Sequence, residues 1–432
     1  MSLSQSFKAW YTSTPVLRFV FSLLRNVKPV AVFGKTAFVT RYKDVADVLQ
    51  RQQDFTVYQI DGYKMAEMGN IFVLGMDESL EATRDREMLR KVILRGDLDF
   101  IRKFIRQKGD ELIQQAMTTT GTTPPPGAAP ATTPTGTAQT ARAPGTAPTT
   151  HRIDTVDGYA RLASVRLVAG YFGVPADEKK MMQWQRAIFN EAFVNLNNDP
   201  TIKQTGMVAA KEVATHLANL ITERQQHPDD LPDNVLNRLI RQQKNTDWLD
   251  NDAVKRNILC ILGVVENTSK VVTHTIDQLL RRPDVLALAR SAAIAGDMDT
   301  VKKYCFEALR FNPHNPAILR YCKDGATVGQ GTRHERKIPP GTTVYAATLG
   351  AMFDPEVVSN PKQFDPNRNV DYMHFGHGPH ICTGRYISEV TVPELVAGLL
   401  KLNHLRRAKG RQGQIIYDQL VFPNSLILEF EG

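Results

Sequence analysis

Apolar residues recur at helical spacing along most of the chain and alternate in only a few short runs, which predicts mainly helices with small β-sheets. Pro15 to Leu24 is an apolar run that holds Arg18 and stops at Arg25. It is too short and too charged to span a bilayer, and it lacks the basic, apolar, small-residue order of a signal peptide. It predicts a first amphipathic helix, with loose membrane contact as the lesser alternative and no transmembrane anchor. Pro29 to Thr40 alternates around a central Gly34-Lys35, the pattern of a β-hairpin, and Tyr42 to Gln52 returns to helical spacing. Leu98 to Met117 and Ile153 to Phe172 predict helices. The helical pattern runs on to Arg224, broken at Gly173-Val174-Pro175 and from Asn195 to Pro200. Asp250 to Leu280 holds no proline and predicts one long helix of about 45 Å at 1.5 Å per residue. Lys337 to Val344 reads as a turn into a strand. Arg385 to Leu402 is helix-compatible, apolar at Ile387, Val390, Leu395, Leu399 and Leu400, with a kink expected at Pro393.

Composition changes this picture at one place. From Thr118 to Thr150 the chain is almost entirely Thr, Pro, Ala and Gly, with no large apolar residue after Gly121. Such a segment buries too little surface to offset chain entropy, so residues 118–150 predict a disordered insertion, a surface loop between two helices. Both flanks are needed for the fold. Residues 1–432 are therefore expected to form one domain, although length alone would suit two or three. The four cysteines (Cys260, Cys305, Cys322, Cys382) show no C-x-x-C or disulfide-like spacing, which points to a reducing, cytoplasmic setting and away from zinc. The net charge of +8 comes without a nucleic-acid motif or a long basic block. It suits a solvated basic surface or a docking face for an acidic redox protein.

The densest chemical signal is Phe375-Gly376-His377-Gly378-Pro379-His380-Ile381-Cys382-Thr383-Gly384. It sets a cysteine in a glycine-rich loop just before a helix start, where the helix dipole and free N–H groups favour thiolate, the metal-binding form. Gly378 and Gly384 are expected to permit positive φ and close approach to something flat. The pattern F-x-x-G-x-H-x-C-x-G resembles the haem-binding signature of the cytochrome P-450 family, with every fixed position met. The resemblance implies the family fold, a triangular prism of helices around a buried haem b. It makes Cys382 the axial thiolate, with Phe375, Gly376 and Gly384 framing it and His380 at a haem propionate. A thiolate ligand pushes electron density toward O–O cleavage.

Other segments fit the same resemblance. Glu307-Ala308-Leu309-Arg310 is E-x-x-R, about seventy-five residues before Cys382, and Phe364-Asp365-Pro366-Asn367-Arg368 matches F-x-P-x-R. Glu307, Arg310 and Arg368 are expected to form a buried triad that locks the cysteine loop. Arg320 and Arg86 stand where propionate partners are expected; Ala82 stands where many members have a histidine. Ile318 and Leu319 are expected to face substrate, and Phe189, Phe193 and Val194 to roof it. The long helix carries Gly263-Val264-Val265-Glu266-Asn267-Thr268-Ser269 in place of A/G-G-x-D/E-T-T/S. Glu266 fits the acid. Asn267 stands where the alcohol is expected, and Thr268 is the nearest hydroxyl. An asparagine hydrogen-bonds both ways but does not relay a proton as a hydroxyl does.

Three functions follow from the resemblance. A monooxygenase would activate O2 with electrons from a ferredoxin or flavodoxin-type donor, with Glu266 and Thr268 assisting protons. A hydroperoxide isomerase or peroxygenase would need no electrons, and Asn267 would orient the O–O bond; family members that rearrange fatty-acid hydroperoxides are similar in placing an Asn near that spot. A haem sensor would show neither turnover and is disfavoured by the expectation that the chain carries no appended output domain. The monooxygenase leads narrowly. The expected substrate is an apolar small molecule: a lipid, a terpenoid or an aromatic compound.

Overall fold

The structure is a computed structural model that describes residues 14–69, 71–119, 149–227, 231–417 and 421–432. The helix predicted near the N-terminus is α1 (Thr14–Val27), and the hairpin is β1 (Val30–Phe33) with β2 (Thr36–Val39), turning at Gly34 with φ 57°. Then come α2 (Tyr42–Gln50), β3 (Phe55–Thr56), a π-helical turn (Tyr58–Gly62), α3 (Tyr63–Glu67), α4 (Leu80–Val92) and α5 (Leu98–Thr119). Of the segment 118–150, Thr118 and Thr119 continue α5 and Thr150 opens a strand; residues 120–148 lie outside the described residues.

The predicted helix from Ile153 to Phe172 is corrected in its first part. Thr150–Asp154 is β4, a π-turn spans Val156–Ala160, and only Arg161–Gly170 is α-helical (α6). The strand forms because β4 pairs with β12 (Ile427–Glu431), Ile153 opposite Leu428, a partner some 270 residues away that local spacing does not reveal. Next are α7 (Glu178–Phe189), a π-turn (Asn190–Val194), α8 (Pro200–Gln225) and α9 (Val235–Gln243).

The single helix expected from Asp250 to Leu280 is also corrected. It divides at Gly263 into α10 (Asn251–Leu262) and α11 (Val264–Leu280). Gly263 caps both helices, and the Phe189 ring packs so close that a Cβ there would lie 2.4 Å from it. The Gly263 carbonyl still accepts from the Asn267 N–H at 3.2 Å, so the two helices run on from one another. α12 (Pro283–Ala295), α13 (Met298–Phe311), β5 (Ile318–Cys322), β6 (Ala326–Val328), β7 (Arg336–Ile338), β8 (Thr342–Ala346), α14 (Thr348–Ala351), α15 (Arg385–Leu400), β9 (Asn403–Arg407), β10 (Ile416–Tyr417) and β11 (Pro423–Ser425) complete the order.

The fold is mainly helical with small sheets. α11 runs through the middle and packs against α6, α7, α12, α13 and α15, and α5 lies along α15. Apolar side chains from these helices form the main core. Tyr159 is buried within it and donates to the Leu395 carbonyl (2.9 Å), room for its hydroxyl being left by Gly109 and Gly398. The five-stranded sheet β1-β2-β8-β5-β3 carries a second core; only β2 and β8 are parallel. A third, of Phe21, Phe311, Ala347, Leu349 and Phe353, holds α1 to α13 and α14.

Candidate functional site

The cysteine loop follows two short 3-10 turns, Met373–Phe375 and Gly378–His380. The Cys382 N–H donates to the Phe375 carbonyl at 2.9 Å, and Ile381 N–H to Gly378 at 3.0 Å. Gly376 and Gly378 take φ of 77° and 71°. Gly378 also lies where a Cβ would be 2.7 Å from the Leu49 carbonyl, so a side chain there would strike α2 as well as strain the backbone. Gly384 corrects the expectation of positive φ: it sits at φ −85° as the N-cap of α15, and its N–H bonds the Cys382 sulfur. Burial pushes the Cys382 thiol up, and this N–H opposes the shift.

The triad forms and is larger than the motif suggests. Glu307 is fully buried and accepts from Arg310 Nη2 (2.7 Å) and Nε (2.9 Å), Arg368 Nε (3.3 Å), the Asp365 N–H (3.0 Å) and the Tyr372 hydroxyl (2.7 Å). Arg310 also binds the Pro361 and Gln363 carbonyls. Tyr372 stacks on His374, which donates from Nε2 to the Phe306 carbonyl (2.8 Å). Phe306 meets Phe375 edge-on, so an aromatic ladder joins Glu307 to the cysteine loop. The motif reading missed Tyr372 and His374; their signal was only two aromatic rings two residues apart just before the loop.

The three predicted propionate partners come together. His380 is driven down to about 3 by burial and then by the nearby Arg320 and Arg86 cations. Burial lowers Arg320 to about 10, against the pull of Asp61 and Asp77. Among the described residues neither arginine has an ion-pair partner; Arg320 Nε and Arg86 Nη2 are buried without a hydrogen bond. Two guanidiniums with orphaned donors beside His380, with the nearby Asp61 and Asp77 forming no salt bridge to them, suit an anionic ligand. Asp61, missed in the sequence, faces this cluster from the π-turn. Burial raises its carboxyl to about 7, against the pull of Arg320 and Lys64.

α10 and α11 offer one face to the same space. Cys260, Val264 and Asn267, spaced by four and three, keep partial accessibility on a helical rod whose other inward positions are largely buried. Cys260 lies beside Thr383 and Cys382, which marks this face as the one toward the cysteine loop. The Asn267 Oδ1 is buried there without a partner. Thr268 is buried. Glu266 points elsewhere: its oxygens meet Arg161 Nη2 (2.6 Å) on α6 and Arg186 Nε (2.7 Å) on α7. Phe189 packs on Gly263 and on Phe193 at 5.0 Å, at the helix break. Ile318, Leu319 and Phe375 keep partial accessibility.

A thiol held by a backbone N–H, an unpartnered cation cluster and a partly accessible helix face fit haem b. Cys382 would ligate the iron; Arg86, Arg320 and His380 would take the propionates. Fold and site together define a haem-thiolate protein. Residues 33–428 match the family model for cytochrome P-450, and the chain belongs to that family, whose cofactor is haem. It is 26% identical over 301 residues to a bifunctional dioxygenase–epoxy alcohol synthase of Fusarium oxysporum, covering 61% of this chain and 23% of that protein. It is 28% identical over 245 residues to the 6-deoxyerythronolide B hydroxylase of Saccharopolyspora erythraea, covering 55% of each. The chain thus spans less than two thirds of either relative's length. The crystal structure of CalO2 superposes with a TM-score of 0.77 at 21% identity, over 97% of this chain and 98% of that one. No helix among the described residues is long and apolar enough to cross a membrane.

Proposed function

We propose that this chain is a haem-thiolate monooxygenase that takes electrons from a separate acidic donor, of ferredoxin or flavodoxin type, and hydroxylates an apolar small molecule. Bound haem supplies the redox-active iron. The observation that carries the reading is the surface around the thiolate loop. Ile381 and Tyr386 are exposed there, and Arg95 lies against the Tyr386 ring at 3.9 Å. Lys302 and Arg385 stand nearby and share the single carboxylate of Glu389. An apolar centre with surplus positive charge suits a transient, electrostatically steered encounter with an acidic protein. On the other side, Glu266 and Thr268 are the candidate groups for proton handling. Glu266 meets Arg186, whose other nitrogens reach Asn424 and the Pro423 carbonyl, so release of that guanidinium would have to precede any proton exchange at Glu266.

A second reading, an electron-independent hydroperoxide isomerase, is favoured by one observation. Asn267, not a hydroxyl, presents an unpartnered carboxamide oxygen on the accessible face. The likeness to a dioxygenase–epoxy alcohol synthase adds to it. The test mixes purified ferric protein with a fatty-acid hydroperoxide and no reductant, and in parallel supplies O2 with a reduced ferredoxin. Donor-dependent hydroxylation with no peroxide turnover supports the monooxygenase. Fast catalytic conversion to an epoxy alcohol or allene oxide without electrons replaces it with the second reading.

A further inference from the structure

α1 has two apolar faces. Leu17, Phe21 and Leu24 turn inward to the third core. Phe19, Val20, Leu23 and Val27 fall within about 100° of arc at about 100° per residue and form a second face. They are 70%, 38%, 54% and 76% exposed. Past the end of the helix, Lys28 Nζ lies 5.6 Å from the ring of Phe33, which is 57% exposed on the β-hairpin, so the patch continues from helix to turn. Isolated exposed apolar residues are ordinary; five adjoining ones are not.

Charge identifies the occupant. The first 43 residues carry seven Lys and Arg (Lys8, Arg18, Arg25, Lys28, Lys35, Arg41, Lys43) and no acidic residue; Asp44 is the first. Arg25 is buried and Arg41 pairs with Glu356, but Lys35 and Lys43 are exposed and Lys28 is half-buried. A large apolar face on a segment whose own charges are all cationic matches a helix lying in the headgroup region of an anionic bilayer, Glu356 being taken up by Arg41. A soluble acidic partner would match the charges but not an apolar strip of this length.

We propose that the outer face of α1 and the β1–β2 turn dock this protein on an anionic lipid bilayer, lying on the surface without crossing it. The surface is separate from the haem site, so the inference stands whichever reaction the site performs.

The test is co-sedimentation of the full-length holoprotein with vesicles of phosphatidylcholine plus phosphatidylglycerol, against phosphatidylcholine alone. Binding is expected to favour the anionic vesicles and to weaken severalfold on raising salt, as screened surface charges require. The triple variant Phe19→Ser, Leu23→Ser, Val27→Ser is expected to lower the partition coefficient about tenfold or more, since removing buried apolar area weakens insertion. Its haem content should match the parent, because these side chains are exposed. Lys28→Glu with Lys35→Glu should remove the preference for anionic vesicles. No binding by the parent, or undiminished binding by the triple variant, would overturn the proposal. So would a triple variant that changes only a monomer–dimer equilibrium in sedimentation velocity, which would make the patch an interface between copies.

Discussion

Replacing Glu307 with Gln keeps the side-chain shape and removes the charge. The carboxylate accepts five hydrogen bonds, three of them from guanidinium nitrogens of Arg310 and Arg368. Those two arginine side chains are 0% and 4% exposed, so water does not replace what is lost. A glutamine amide nitrogen would face donors where an oxygen now accepts, leaving two cations without a carboxylate. Breaking a buried pair in this way costs about 3–5 kcal/mol. That is a large part of an ordinary domain's stability of about 5–15 kcal/mol. The remaining contacts of Arg310 to the Pro361 and Gln363 carbonyls keep the loss from exceeding this range. Urea unfolding followed by far-ultraviolet circular dichroism gives the number, and haem content measured separately shows whether the cysteine loop is loosened. Tyr372→Phe, which removes one donor to the charged carboxylate, should cost about 1.5–3 kcal/mol. A Glu307→Gln protein within 1 kcal/mol of the parent, by the ~1 kcal/mol resolution of such curves, would refute the role given to the network.

Cys382→Ser is expected to abolish the red-shifted band of the reduced CO adduct; a retained band would remove Cys382 as ligand. Asp61→Asn should change the pH dependence of the haem-free chain. The folded carboxyl titrates near 7 against 3.8, so the folded chain holds the extra proton between these values and stability falls as pH rises through that window. The charges facing it are Arg320 and Lys64, with Asp77 and Glu191 behind them. Its partial exposure discounts the full effect to ~1–2 kcal/mol, and an unchanged slope in Asp61→Asn would contradict the placement. Asn267→Thr is expected to raise product formed per electron in the donor-driven assay; no change in coupling would count against Asn267 in the alcohol position. Glu266→Gln removes the carboxylate that Arg161 and Arg186 share, while Arg161 keeps its pair with Asp157, and should cost ~3 kcal/mol in urea unfolding, a loss under ~1 kcal/mol being the result that sinks this pairing.

What could be read from the chain divides by distance in sequence. The cysteine loop and the Glu307–Arg310 pair are local, so their types and spacing carry the geometry. The hairpin at Gly34 and the helix start after Gly384 were legible for the same reason. Gly384 itself was misread, because a helix N-cap and a left-handed turn both accept glycine and only the backbone distinguishes them. β4 was read as helix because its partner is the last strand of the chain. That residue 263 must be glycine depends on a phenylalanine ring more than seventy residues earlier. Asp61 belongs to a π-turn whose apolar spacing announces nothing, and its meaning comes only from Arg320 across the site.

Glu266 and Asn267 show why adjacency in a motif is not adjacency in a site. Successive helix positions diverge by about 100°, and here that angle separates two environments. Position 266 looks outward to α6 and α7, where two guanidiniums hold both oxygens at 2.6 and 2.7 Å. Position 267 shares a helix face with Cys260 and Val264, and its oxygen is buried without a partner. A carboxylate held in this way exchanges a proton only after a guanidinium lets go, so its chemistry is coupled to movement of α7 and of β11, which Arg186 also grips. The Asn267 carboxamide oxygen has no such restraint. Stability should therefore report on residue 266 and product identity on residue 267, and the two readings of the reaction separate along the same line.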